Sequence, residues 1–271
     1  MKTRIITALV CIPLLVAILL SEKYVVTVAI IAVALVGLNE FYRATRLSEK
    51  HALCAIGYIA AIVIPLTPCI IQQTHSVPVM LHRTLFYLFM LAIFICMLAD
   101  HKNVSAADAG MLILSVIYIP YFLTDIINIR MLEHGRFYIW LVFIGAFLTD
   151  SCAYFSGIFL GRHKLCPEIS PKKTVEGAIG GVLGCALFYM IYGLIMRSFG
   201  LDISFARLAL LGIIAAVISE TGDLAASIIK RRYGIKDYGT LFPGHGGILD
   251  RCDSVILVAP AIYLFLTSVG I

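Results

Sequence analysis

Long apolar runs recur from one end of this chain to the other, and they limit its fold more than any other feature. A hydrocarbon core about 30 Å thick is crossed by roughly 20 helical residues, and nine runs reach or approach that length. The composition has 61% hydrophobic and only 14% charged residues, which leaves too little polar surface for a soluble domain. The runs cover residues 5–20, 24–38, 52–71, 84–99, 109–124, 137–160, 177–199, 205–221 and 254–271.

The distribution of basic residues predicts how these runs are threaded. If the N-terminus is cytoplasmic, fifteen of the 21 Lys and Arg fall in loops on the cytoplasmic side, as the positive-inside rule requires. The two most polar loops, 161–176 and 222–253, then face the cytoplasm. The net charge of +5 follows from this bias and gives no reason to expect a nucleic-acid partner.

We therefore expect an all-α polytopic membrane protein with about nine transmembrane helices. A single integral membrane domain would cover residues 1–271, with 1–136 mainly scaffold and 137–271 holding the catalytic helices and cytoplasmic loops. The active site would lie at the cytoplasmic membrane edge. The eight cysteines form no Cys-x-x-Cys pair, which favours buried apolar roles over disulfides or metal binding.

Carboxylates in the second half fall on helical faces. Glu220, Asp223, Ser227 and Lys230 are spaced three, four and three residues apart, which places them on one stripe of a helix. Ionisable groups at membrane depth are costly and mark functional sites by default. The alternative is an internal ion pair between Asp223 and a basic residue of a neighbouring helix. Further acids stand at Asp150, and at Asp250 and Asp253 beside Ser254.

Three separate runs thus bring acids toward one end of the bundle. Mg²⁺ prefers one or two carboxylates, with water and substrate phosphates at its other positions. A divalent cation would also remove the repulsion within such a cluster. The acids therefore predict a magnesium site.

Basic and hydroxyl residues suited to phosphate precede the seventh run. A helix N-terminus adds exposed N–H groups and a favourable dipole to such side chains. The alternative is that these residues are only topology signals or contacts to anionic lipid. A second loop carries Gly244, Gly246 and Gly247, whose backbone is free to turn N–H groups toward an anion. His245 would be a hydrogen-bond donor there, or would stabilise the loop.

Several glycines in the second half recur at four-residue spacing. This spacing is typical of close packing between membrane helices rather than of ligand contacts. The pairs are Gly157 and Gly161, Gly177 and Gly181, and Gly180 and Gly184.

The run SIIKRRYGIKDYGTLFPGHGGILDRCD, residues 227–253, resembles the signature of bacterial phosphatidate cytidylyltransferases, also called CDP-diacylglycerol synthases. TDSCAYFSGIFLGRHKL and ISPKKTVEGAIGG resemble the same family. Cys252 occupies a slot that is commonly aliphatic or Thr there. The resemblance implies transfer of CMP from CTP to phosphatidate, with release of pyrophosphate. It also implies a homodimer in the bacterial cytoplasmic (inner) membrane.

The resemblance also implies roles for individual residues. Mg²⁺, with room for a second cation, would be held by Asp223 and Asp250 meeting at one metal, and by Asp150 and Asp253. The catalytic residues would be Asp223, Asp250, Asp253, Lys230 and Lys236. Substrate phosphates would be bound by Ser170, Lys172, Lys173, Thr174, Ser227, Arg231, His245, Gly246, Gly247 and Arg251.

Two other functions share some of these features. A CTP-dependent lipid kinase would transfer the γ-phosphoryl group and release CDP. A cation-coupled transporter would use membrane-embedded acids as an ion site, but would gain nothing from two basic cytoplasmic loops.

Overall fold

The computed structural model describes residues 2–74, 78–242, 244 and 246–271. Within them the chain is predominantly helical. Eleven α-helices are described: α1 (Lys2–Leu20), α2 (Lys23–Ala44), α3 (His51–Thr74), α4 (Pro78–Ala99), α5 (Ala106–Val116), α6 (Phe122–Met131), α7 (Gly135–Phe143), α8 (Thr149–Leu160), α9 (Val175–Ser198), α10 (Phe205–Arg232) and α11 (Leu249–Ser268).

In the described part of the chain, seven helical segments are long and apolar enough to cross a membrane. They are Lys23–Ala44, His51–Gln72, Met80–Ala99, Ala106–Met131, Gly135–Leu160, Val175–Ser198 and Phe205–Arg232. The expected all-α polytopic class is therefore confirmed. The count of nine spans and the cytoplasmic N-terminus stay predictions.

Two of the crossing segments are helices interrupted by a π-helical turn. Ile117–Tyr121 joins α5 to α6 and contains Pro120, and Ile144–Leu148 joins α7 to α8. Proline has no N–H to donate, and wide turns of this kind accommodate such a break inside a helix. The first interruption therefore has a local cause in the sequence.

The helix α10 is longer than the apolar run that predicted it. The run ends at residue 221, whereas the helix continues to Arg232 and carries Lys230, Arg231 and Arg232 in its last turn. Basic side chains are favourable at a helix C-terminus. Hydropathy alone therefore underestimated this helix.

The chain divides into two compact units. The first comprises Met1–Met131 and Asp237–Asp250, and the second comprises Leu132–Lys236 and Arg251–Ile271. The expected single domain over residues 1–271 stays a prediction, as does its division at residue 136.

The first unit has its core around α2. Leu38, Phe41 and Tyr42 are fully buried there, together with Leu112 and Ile119 from the segment 106–131. Tyr42 packs edge-on against the ring of Tyr58 in α3. These contacts hold α2 firmly, which matters because α2 also carries a buried acid described below.

The second unit is held together by close approach of α8, α9 and α10. A Cβ at Gly181 would lie 3.1 Å from the Cβ of Ala153 in α8, and one at Gly177 would lie 2.8 Å from the Ala153 carbonyl oxygen. The predicted packing role of these glycines is confirmed. On α10, a Cβ at Gly212 would lie 2.8 Å from the Cα of Ala186 in α9.

A short antiparallel hairpin interrupts the helices between α8 and α9. Its strands are β1 (Lys164–Cys166) and β2 (Ser170–Thr174), with Lys164 paired to Thr174. The sequence predicted only a loop here. Thr174 ends the hairpin and begins α9, because its side chain accepts a hydrogen bond from the Gly177 N–H.

The close approach at Gly212 generates a stability prediction. Replacement of Gly212 by Ala should lower the free energy of unfolding by about 1–3 kcal/mol, because the added methyl meets backbone atoms that cannot rotate away. The measurement is thermal melting in detergent. Gly110→Ala is the matched control, since a Cβ there meets nothing within 4 Å, and equal melting temperatures for the two variants would contradict the packing argument.

Candidate active site

The predicted acid stripe lies on a single helix. Glu220, Asp223, Ser227 and Lys230 all belong to α10, so their spacing places them on one face, as expected. Glu220 and Lys230 are buried, with 8% and 7% of their surface exposed. Charged side chains this deep in an apolar helix require partners.

The partner of Asp223 is a lysine of the hairpin. The Nζ of Lys173 lies 2.9 Å from Oδ2 of Asp223, and both side chains are partly buried. The alternative of an internal ion pair therefore describes a real contact, although the base comes from β2 and not from a neighbouring helix. The pairing also attaches the hairpin to α10.

A second, longer ion pair joins α10 to α11. The Nζ of Lys230 lies 3.9 Å from Oδ2 of Asp253. Asp150, exposed on α8, is repelled by Asp223 and Glu220 and attracted by Lys173 and Arg251. We call this group the acid–lysine cluster; its members are Asp150, Glu220, Asp223, Asp253, Lys173 and Lys230.

The acid–lysine cluster holds more negative than positive charge. Asp253 is repelled by both Asp223 and Asp150, and Glu220 is also repelled by Asp223. Glu220 Oε1, a buried oxygen of the cluster, makes no hydrogen bond within the described residues, and neither does Ser254 Oγ next to Asp253. Buried polar atoms without partners are costly, so the cluster has capacity for a further cation or donor.

The donor set of the cluster suits magnesium by its chemistry. Its acids offer hard carboxylate oxygens, and Mg²⁺ typically takes only one or two of these from a protein. Among the described residues, no three His, Cys, Asp or Glu side chains are already arranged around a metal position. Asp250 belongs to the other unit, so its predicted meeting with Asp223 at one metal stays a prediction.

The hairpin is held by an acid that the sequence analysis did not single out. Glu176 Oε2 accepts hydrogen bonds from the N–H groups of Arg162 and His163 at 3.0 and 3.1 Å. Its Oε1 lies 2.6 Å from the Nδ1 of His163. Glu176 thus fixes the chain entering the hairpin that presents Lys173. Only its place in the first turn of a predicted helix pointed toward this role.

The remaining phosphate-binding candidates near the hairpin and α10 differ in exposure. Lys172, Arg231, Lys236 and Arg251 are exposed, and Ser170 and Ser227 are half-buried. Arg231 donates to the carbonyl oxygen of Ile235 at 3.0 Å. The hydroxyl of Thr174 caps α9. The four exposed bases lie on the protein surface. Their phosphate contacts stay predictions.

In the first unit, the glycine-rich loop is closed by Asp250. Its Oδ2 accepts hydrogen bonds from the N–H of Tyr238 at 2.8 Å and of Gly247 at 2.9 Å. Gly244 and Gly246 take left-handed backbone conformations, with φ of 79° and 84°, which only glycine adopts without cost. His245 lies outside the described residues.

A buried acid of α2 contacts the same loop and was missed. Glu40 is 7% exposed, and its two carboxylate oxygens accept from the N–H of Ile248 and Leu249, each at 3.0 Å. The second apolar run ends at residue 38 and residues 1–136 were expected to be mainly scaffold, so the sequence analysis gave Glu40 no role. A charged residue two positions after the end of an apolar run is the one signal that the sequence offers.

These features define a polytopic membrane protein with a cluster of carboxylates and lysines on its helices and hairpin. Residues 2–269 match the sequence profile of the Cytidylyltransferase family. The chain therefore belongs to the cytidylyltransferase family.

Individual relatives match over nearly their whole length. A protein of Bacillus subtilis (strain 168) named phosphatidate cytidylyltransferase is 34% identical over 268 residues, which cover 98% of this chain and 97% of the relative. Proteins of the same name from Staphylococcus haemolyticus and Thermotoga maritima are 32% and 31% identical, and each alignment covers at least 95% of both chains. This chain is thus similar to bacterial phosphatidate cytidylyltransferases.

The two hairpin lysines should differ in their effect on stability. Lys173→Ala leaves Asp223 without its ion-pair partner and should cost about 1–3 kcal/mol of unfolding free energy. Lys172→Ala removes an exposed side chain and should change stability by less than about 0.5 kcal/mol. Melting temperatures of the two purified variants in detergent give the comparison. Equal losses would mean that the Lys173–Asp223 pair contributes nothing specific.

Proposed function

We propose that the protein transfers the CMP moiety of CTP to phosphatidate and forms CDP-diacylglycerol and pyrophosphate. The observation that carries the proposal is the acid–lysine cluster within a multi-pass membrane chain of the cytidylyltransferase family. The names of the full-length relatives support CTP and phosphatidate as substrates. One substrate is soluble and the other is a lipid, so a charged site on membrane helices suits both.

We further propose the bacterial cytoplasmic membrane as location, with the site facing the cytoplasm. The excess of Lys and Arg in the loops 161–176 and 222–253 supports this orientation. A homodimer is also proposed, on the family resemblance alone. Labelling of single cysteines from either side of the membrane tests the orientation, and mass measurement in detergent tests the dimer.

In the proposed reaction, a phosphate oxygen of phosphatidate attacks the α-phosphorus of CTP in line. A P–O bond forms there as the bond to the β-phosphate oxygen breaks, and pyrophosphate leaves with the electron pair. No protein nucleophile is needed, so the chain contributes positioning and electrostatic stabilisation. Lys173 and Lys230 would meet phosphoryl oxygens, because each is tethered beside a carboxylate but has further N–H donors to offer.

The carboxylates have a separate task in this proposal. Asp150, Asp223 and Asp253 would hold Mg²⁺. Bound Mg²⁺ neutralises phosphate charge and polarises phosphoryl oxygens. The exposed bases Lys172 and Lys236 would attract the polyanionic nucleotide from solution. The acids of the proposed site would thus bind the cation, and its bases would bind the phosphates.

An apolar groove beside the cluster supports a lipid substrate. It encloses about 370 Å³ between α9 and α10 and is lined by Ala178, Ile179, Val182, Leu183, Val217, Glu220, Thr221 and Leu224. Glu220 and Thr221 are the two polar residues of this lining. An acyl chain in such a groove would have its head group on the polar side.

The function is tested by incubating the purified protein in detergent with CTP, phosphatidate and Mg²⁺. We expect CDP-diacylglycerol and pyrophosphate to appear together in equal amounts. Release of CDP with a newly phosphorylated lipid would instead indicate a kinase and would overturn the proposal. Omission of Mg²⁺ with added chelator should abolish turnover.

Asp223 gives the sharpest single-residue test of the cluster. Asp223→Asn keeps the shape of the side chain but removes its charge, and we expect kcat to fall about 100-fold or more. Melting temperature measured in parallel separates this effect from unfolding. Asp202→Asn is the matched control, because Asp202 is an exposed acid in the loop before α10. Near-normal Mg²⁺-dependent turnover by folded Asp223→Asn protein would remove Asp223 from the site.

A further inference from the structure

Glu40 links two stretches of the first unit that are far apart in sequence. Its carboxylate receives the N–H of Ile248 and of Leu249, which are 208 and 209 residues away. Leu249 is the first residue of α11. The first N–H groups of a helix have no partner within the helix, and an acid is favourable at this end. Glu40 therefore caps α11 from another helix.

The carboxylate of Glu40 lies directly against two glycines of the loop, Gly239 and Gly247. A side chain at Gly239 or at Gly247 would overlap the carboxylate oxygens of Glu40. Neither residue has the left-handed backbone that would otherwise require glycine. The space taken by Glu40 is therefore the physical reason for glycine at both positions.

Asp250 and Glu40 together fix the ends of the loop. Asp250 receives the N–H of Tyr238 and Gly247, and Glu40 receives the next two N–H groups along the chain. The two acids repel each other, and both are at least nine-tenths buried. Glu40 holds Ile248 and Leu249, the two residues between Gly247 and Asp250. Its removal should therefore also loosen Asp250.

We infer that Glu40 is a positioning residue for the proposed cytidylyl transfer. Its two carboxylate oxygens accept the N–H groups of Ile248 and Leu249. It thereby holds the loop and the first turn of α11 in the geometry in which Asp250, Gly246 and Gly247 would act according to the family resemblance. This inference rests on the proposed function. A purely structural cap would instead affect stability without affecting turnover by the folded protein.

The test compares Glu40→Ala, Glu40→Gln and the wild type as purified proteins. Glu40→Ala removes both acceptors, and we expect kcat per folded molecule to fall at least tenfold, with KM for phosphatidate within twofold. Glu40→Gln keeps one acceptor oxygen and should recover part of the loss. Glu49→Ala, an exposed acid of the same unit, is the control and should have wild-type kinetics.

Amide hydrogen exchange provides a readout that does not depend on activity. Peptides covering Ile248 to Asp250 should exchange at least tenfold faster in Glu40→Ala, whereas peptides of α9 should be unchanged. If wild-type protein makes no CDP-diacylglycerol, the proposed function fails, while exchange still reports whether Glu40 holds the loop. Unchanged exchange, or faster exchange with kcat within twofold of wild type, would overturn the inference.

A double substitution tests the contact itself. Gly247→Ala alone should strongly lower turnover, because its methyl overlaps the Glu40 carboxylate. In the Glu40→Ala background the same substitution should cost at least fivefold less. Additive losses would contradict the inference. If Glu40→Ala fails to fold, Glu40→Gln carries the same kinetic and exchange comparisons.

Discussion

The cost of placing carboxylates among apolar helices governs much of this structure. A buried acid needs either hydrogen-bond donors or an opposite charge, and the chain uses these two solutions in different places. In the first unit, Glu40 and Asp250 each accept two backbone N–H groups. In the second unit, Asp223 and Asp253 face lysines.

The two solutions have different chemical consequences. Backbone N–H groups cannot leave without unfolding the loop, so the acids they hold are fixed. A lysine side chain can rotate, so an arriving phosphate can compete for it and release the acid. The lysine-paired acids can therefore exchange partners, whereas Glu40 and Asp250 are held in fixed positions by the N–H groups that they accept.

Features encoded locally were predictable from the sequence. Apolar length gave the helical membrane class, three- and four-residue spacing placed Glu220, Asp223 and Lys230 on one face of α10, and glycine spacing indicated close packing near Gly177. Each depends only on residues within a few helical turns. The family could be recognised from sequence because its signature, residues 227–253, is one contiguous stretch. The match along residues 2–269 agrees with that assignment.

Long-range partners could not be predicted in the same way. Nothing near Glu40 indicates that its carboxylate meets residues 248 and 249, and nothing near Asp223 selects Lys173 over Lys172. The hairpin β1–β2 was also missed, because its strands are short, Pro171 lies within β2 and Pro167 lies in the turn between them. Contacts of this kind are decided by the packing of whole helices rather than by local pattern.

The π-helical turn Ile144–Leu148 has a consequence for how chain length and orientation are related. A turn that bonds i to i+5 holds about one residue more than an α-helical turn. The rotation of α8 relative to α7 is therefore the same as in a regular helix that is one residue shorter. Asp150 lies two residues beyond this turn. We therefore expect Asp150 to keep its direction if one residue of this turn is deleted.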